Sequence, residues 1–187
     1  MSSTQIHKTA FVDPKSELGE GVAIGPYSVI EGNVVLGDRC QVGSHCVLTG
    51  NTTIGGDCHF FTGAVMGSIP QDKKYNSDEK VFLHIGNDNV FREYTTVNSG
   101  TGLGGKTVVG DHNLFMAYSH VAHDCVIGNH CVLANSGTLA GHVTLEDMAV
   151  VGGLSGVHQF VRVAELSIIG GCSKVVQDIP PFSMCDG

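Results

Sequence analysis

Apolar residues recur along this chain at every sixth position. From Ile6 the steps land on Val12, Leu18, Ile24, Ile30, Leu36, Val42, Leu48, Ile54, Phe60 and Met66. A second tract starts at Ile85 and runs through Phe91, Val97, Leu103, Val109, Phe115, Val121, Ile127, Leu133, Leu139, Leu145, Val151, Val157, Val163 and Ile169 to Val175. Every position of both tracts is apolar although such residues make up only 42% of the chain, so chance does not account for the pattern. Four residues after an anchor the side chain is usually small, as at Ala10, Ser16, Ser28, Cys40, Cys46, Thr52, Cys58, Ala64, Ser119, Cys125 and Cys131. Six is not a multiple of the helical period of 3.6, which removes an amphipathic helix from consideration. A hexapeptide period predicts instead an all-β parallel β-helix in which each repeat is one short strand and a turn. Three repeats close one triangular coil of about 18 residues, and the whole of 1–187 forms a single domain. Successive coils then pair as parallel strands ~4.8 Å apart.

The two tracts are out of phase, because Met66 and Ile85 are 19 residues apart. Between them SIPQDKKYNSDEKVFLH, residues 68–84, is polar, carries Pro70 and three lysines, and has no repeat. It reads as a loop extruded from the solenoid. At GTGLGGK, residues 100–106, the phase survives through Leu103, so a plain coil and a small excursion both fit. Pro180-Pro181 is expected to stop the ladder, since proline cannot donate to it, leaving 176–187 as the C-terminal end.

Composition narrows the picture further. The 26 glycines and the absence of tryptophan favour an architecture with many tight turns over a globule packed on aromatics. A net charge of −8 argues against nucleic acid, which is normally met by a basic patch. No run of ~18 apolar residues suggests a transmembrane segment, and the polar start MSSTQIHKTA is unlike a signal peptide. Seven cysteines without a CxxC pair suit reduced thiols in a cytoplasmic protein. Cys40 and Cys58 sit in the small inward position and read as packing thiols.

The candidate chemistry lies in HVAHDCVIGNHCVLANSGTLAGH, residues 120–142, which holds four histidines. Residues about 18 apart are stacked neighbours, so His123 lies beside Gly141 and then Gln159. By the same rule Asp124 meets His142, which meets Phe160; His120 meets Thr138, and His158 meets Ala140. The glycine leaves room to approach His123, and Asp124 and His142 are within reach of an ion pair. A zinc site of the γ-class carbonic anhydrase type would use an HxxxxH pair, and no two of the ten histidines are five apart. His7, His45, His59, His112 and His130 read as ordinary surface or satisfied histidines. Proton chemistry fits His123 better, because a neutral imidazole with a pKa near ~6.5 can take a proton from an alcohol. A neighbouring carboxylate would fix its tautomer, and the Gly141 N–H could receive a developing oxyanion.

The segments NLFMAYSHVAHDCVIGNHCVLANSGTLAGHV, GGLSGVHQF and GGCSKVVQDIPP, together with IPQDKKY in the loop, resemble the UDP-N-acetylglucosamine O-acyltransferases that begin lipid A synthesis. The resemblance runs through essentially the whole chain. It implies a left-handed winding of the β-helix. It also implies that His123 is the general base, Asp124 its support and Gly141 the oxyanion donor. Gln71, Lys74, His120, His142, His158 and Gln159 would orient or bind substrate, and Gly171 would border the acyl chain. The implied substrates are UDP-N-acetylglucosamine, acylated at its 3-hydroxyl, and a 3-hydroxyacyl thioester on acyl carrier protein. No metal and no organic cofactor is implied. The implied assembly is a homotrimer with sites in clefts between subunits, where the loop would carry Lys74 to a neighbour's His123. Lys73, Lys74 and Lys80 give an acidic protein a local basic patch for an acidic carrier.

Two departures from the family pattern stand out. Members usually carry a C-terminal helical domain, whereas this chain stops at Gly187, just past the β-helix. They also commonly have a basic residue in the segment that reads TTVNSGT here. A catalytically weak hexapeptide-repeat scaffold, an acyltransferase acting on an amine, and one using a different sugar-nucleotide acceptor are the alternative readings.

Overall fold

The computed structural model describes residues 3–186, and every regular element among them is a strand. Most strands are only two residues long, and they form three parallel sheets of ten, nine and eight strands. Up to the last rung of the ten-stranded sheet, each sheet takes every third strand in chain order, so the sheets are the three faces of a left-handed triangular β-helix. No helix long and apolar enough to cross a membrane is present among the described residues.

The hexapeptide anchors build the core. From Ile24 onward every anchor of both tracts is buried except Leu103, and the small residues four positions later are buried with them. Phe60, Phe91 and Phe115 stack through the centre with ring centroids 5.1 and 4.7 Å apart. Ile6 is half exposed because it belongs to the terminal coil and is covered from one side only. The residue before each anchor points outward, as strand alternation requires.

A residue with left-handed backbone geometry makes the turn at corner after corner, from Tyr27 to Phe182. Such φ values are unusual for residues bulkier than Gly, Asn or Asp. Here Tyr94, His130, Met148 and Leu166 adopt them because the coil above and the coil below fix the corner. The inward residue four places after the anchor reinforces it. Ser28, Cys40, Cys46, Cys131 and Ser155 each donate to the carbonyl fifteen residues on, and Cys58 makes the same bond across the extruded loop to the Gly86 carbonyl, all at 2.7–3.2 Å. These thiols are therefore more than packing groups, and all seven cysteines are free.

Two expectations need correction, and one choice left open is settled. The extruded loop is shorter than 68–84, since the strands Val65–Ser68 and Phe82–Ile85 belong to the solenoid. Residues 100–106 are an excursion and not a plain coil. Val97 pairs with Val121, 24 residues on and six more than a coil, and Leu103 is 85% exposed. Finally, Pro180-Pro181 does not stop the ladder, because Met184–Cys185 adds a further rung on Ile168–Ile169. The prolines fall in a corner, where a missing N–H costs the sheet nothing, and the ladder bond beside them comes from Ile179 N–H to the Arg162 carbonyl at 2.9 Å.

Candidate active site

One edge of the prism departs from the rule that holds another together. On the edge between the eight- and ten-stranded faces, an Asn or Asp one coil ahead accepts the corner N–H. Asp38 caps Glu20, Asn87 caps Gly56, Asp111 caps Asn87, Asn129 caps Asp111 and Asp147 caps Asn129, all at 2.6–2.8 Å. The equivalent column between the nine- and eight-stranded faces is His123, Gly141 and Gln159. None of these is a capping Asx residue, and the Gly141 N–H has no acceptor among the described residues.

His123 and Asp124 form the corner after the strand His120–Val121. His123 is 5% exposed, and its Nδ1 lies 2.9 Å from Asp124 Oδ2. The carboxylate is itself held: the Thr101 N–H donates to Oδ1 at 2.9 Å and the Thr101 hydroxyl to Oδ2 at 2.5 Å. The Asp124 N–H donates to Thr107 Oγ1 at 2.9 Å, which fixes the left-handed backbone there. Burial works to raise the Asp124 carboxyl, but the Thr101 bonds, the His123 bond and the charge of His142 outweigh it and hold it below its ordinary value. Asp124 is thus a carboxylate at neutral pH, Nδ1 carries the ring proton toward it, and Nε2 is left as the base.

On the far side of the ring a hypothetical Gly141 Cβ would lie 2.6 Å from His123 Nε2, so any side chain there would collide with the imidazole. His142 turns edge-on to His123 at 5.2 Å, places Nε2 3.7 Å from Asp124 Oδ2, and stacks on Phe160 at 4.6 Å. His120 is tied to Thr96 Oγ1 through Nδ1 at 2.7 Å. Burial, and then the neighbouring charge of His123, depress its pKa, so it is neutral at pH 7. The ligating atoms of His123, Asp124 and His142 also lie within 4.8 Å of one another, a spacing a metal ion could use. Asp124 already accepts three hydrogen bonds, two of them on the oxygen that faces both histidines, which suits an oriented base.

His158 and Gln159 are exposed two coils on from His123, with His158 Nδ1 3.3 Å from the Gln159 carbonyl. Gln71 and Lys74 are exposed on the loop, and it is Asp72 between them that faces the site, 4.0 Å from His123 Nε2. The other Asp72 oxygen accepts the Lys74 N–H at 2.8 Å. The loop thus lies over its own chain's His123. Gly171 is not brought to His123 at all; it occupies a different edge, between the ten- and nine-stranded faces, beside the Gly153 carbonyl. Asp72, Thr96, Thr101 and Thr107 are site residues that the sequence reading missed.

Residues 15–50 and 106–141 match the family model described as bacterial transferase hexapeptide (six repeats). The acyl-(acyl-carrier-protein)–UDP-N-acetylglucosamine O-acyltransferase of Aliarcobacter butzleri is 52% identical over 183 residues, which cover 97% of this chain and 70% of that protein. The chain belongs to this acyltransferase family. The Helicobacter pylori enzyme of the same name is 45% identical, over 98% of this chain and 68% of its own length. Among solved structures, the UDP-N-acetylglucosamine acyltransferase of Francisella novicida superposes with a TM-score of 0.94 at 36% identity, over 98% of this chain and 67% of that one. The Campylobacter jejuni acyltransferase gives 0.90 at 40%, over 96% and 70%. The chain spans about 70% of the length of these relatives.

Proposed function

We propose that this chain transfers a 3-hydroxyacyl group from acyl carrier protein to the 3-hydroxyl of UDP-N-acetylglucosamine, the first step of lipid A synthesis. The observation that carries the reading is the hydrogen bond between His123 and Asp124 with the uncapped Gly141 N–H on the next coil. His123 Nε2 takes the proton of the sugar hydroxyl as its oxygen bonds to the thioester carbonyl carbon. Asp124 stabilises the imidazolium. The carbonyl oxygen becomes an oxyanion at the Gly141 N–H. When the tetrahedral intermediate collapses, the C–S bond breaks and the carrier thiolate takes the proton back from His123. Asp72, 4.0 Å beyond Nε2, is placed to accept from a neighbouring sugar hydroxyl. Gln71, Lys74, His120, His142, His158 and Gln159 complete the walls that bind sugar, nucleotide and donor. The reading includes a homotrimer in a cytoplasmic setting, with the edge that carries Gly171 lining the acyl groove. Incubation of the chain with UDP-N-acetylglucosamine and 3-hydroxyacyl carrier protein tests it. The O-acylated nucleotide is the expected product, and acylation of only an amine acceptor would replace the reading.

A further inference from the structure

The amide that receives the oxyanion is one half of a peptide unit whose other half is the Ala140 carbonyl. That carbonyl accepts a hydrogen bond from the buried Cys125 thiol at 3.2 Å. In a planar trans peptide the C=O and the N–H point in opposite directions. A carbonyl pinned toward the core therefore turns the Gly141 N–H outward, to the side where His123 stands. We propose that Cys125 is a positioning residue: its S–H fixes the rotation of the Ala140–Gly141 peptide and so aims the oxyanion donor. The idea rests on the acyl-transfer reading given above.

The bond is the corner device found along the solenoid, used at the one corner where the N–H on the other side of the peptide has a task. Cys131 makes the same bond, to the Glu146 carbonyl at 3.1 Å, at the following corner. There the next N–H belongs to Asp147, away from the histidines. Burial pushes the Cys125 thiol up to about 12, so it keeps its proton and stays a donor at any working pH. The fold does not demand a donor at this place in the repeat. Val22, Val34, Val143 and Val161 occupy the equivalent position and are buried there, and Ser28 and Ser155 show that a hydroxyl fits.

Those natural substitutions define the test: Cys125→Val, Cys125→Ser and, as control, Cys131→Val, each measured for kcat, KM and thermal unfolding in the full chain. Losing an oxyanion donor outright costs ~10²–10³-fold in kcat. A donor left in place but free to tilt should cost less, about 5- to 50-fold for Cys125→Val, with KM for UDP-N-acetylglucosamine within about twofold. Cys125→Ser should restore most of the loss, and Cys131→Val should leave kcat unchanged at a comparable shift in melting temperature. Equal kcat for Cys125→Val and Cys131→Val, with an active wild type, overturns this inference and leaves the function standing. An inactive wild-type chain overturns the function itself.

Discussion

His123 has two ring nitrogens with different tasks, and the residues around it assign them. Nδ1 is committed to Asp124 at 2.9 Å, and Nε2 opens toward Gly141 and Asp72. General-base assistance is typically worth ~10²–10⁴-fold, so His123→Ala should lose about that much turnover while keeping its β-helix spectrum. Gly141→Ala sharpens the point. Its φ is not in the left-handed region, so the corner tolerates alanine, yet the new methyl would stand 2.6 Å from Nε2. We expect a loss approaching that of His123→Ala with the β-helix spectrum retained; near-normal turnover in His123→Ala would mean that His123 is not the base. The partnership of His123 and Gly141 was legible because both lie on the 18-residue ruler, one coil apart. Thr101 and Asp72 were not. They come from the two excursions, which have no register to count.

At the scale of elements, the six-residue period defines both what could be read and what was hidden. The first excursion shifted the phase, since Ile54 pairs with Ile85 across 31 residues, 13 more than a coil, and so it announced itself. The second inserts six residues, one full period, and leaves the count intact, so Leu103 falls on an anchor position while pointing into solvent. Corners raise a similar ambiguity for Gly170 and Gly171. The structure separates them: a Cβ on Gly170 would run into the Asp186 side chain, whereas one on Gly171 meets only the Gly153 carbonyl, at 3.4 Å. Gly170 is a close-approach position and Gly171 has room. If the acyl chain passes Gly171, a side chain there should shorten the preferred donor. Each buried CH₂ contributes ~0.8 kcal/mol, so blocking two should shift the ratio between C14 and C10 donors by roughly tenfold or more. Gly171→Met should move the preference toward C10 in direct competition of the two donors; an unchanged ratio would make Gly171 a corner residue only.

The whole molecule adds a constraint that no single corner contains. His123 stands on the edge between the nine- and eight-stranded faces, Gly171 on the edge between the ten- and nine-stranded faces, and the nine-stranded face separates them. Along the axis they are between two and three coils apart, about 13 Å at the ~4.8 Å rung spacing. An acyl chain that starts at His123 and runs past Gly171 either crosses the nine-stranded face or meets the Gly171 edge of a second copy, and the homotrimer proposed above supplies that second edge. The ten-stranded face carries a surface suited to that association. Val90, Leu114, Val132, Val150, Ile168 and Met184 follow one another on successive rungs, each pointing outward beside a buried or part-buried anchor. A continuous aliphatic ladder of this length on an exposed sheet marks an interaction surface. We expect a homotrimer by sedimentation at micromolar concentration. The double substitution Leu114→Glu and Val132→Glu puts two charges on that ladder without touching the core, so it should yield a folded monomer with its far-UV spectrum intact. In the assembly proposed above each His123 then lacks a neighbour's groove, so transfer should fall at least tenfold in that variant, since association of this kind is lost when charge must be desolvated. A wild-type chain that sediments as an active monomer would show that one copy suffices, and the acyl chain would then have to follow the edge of His123 alone.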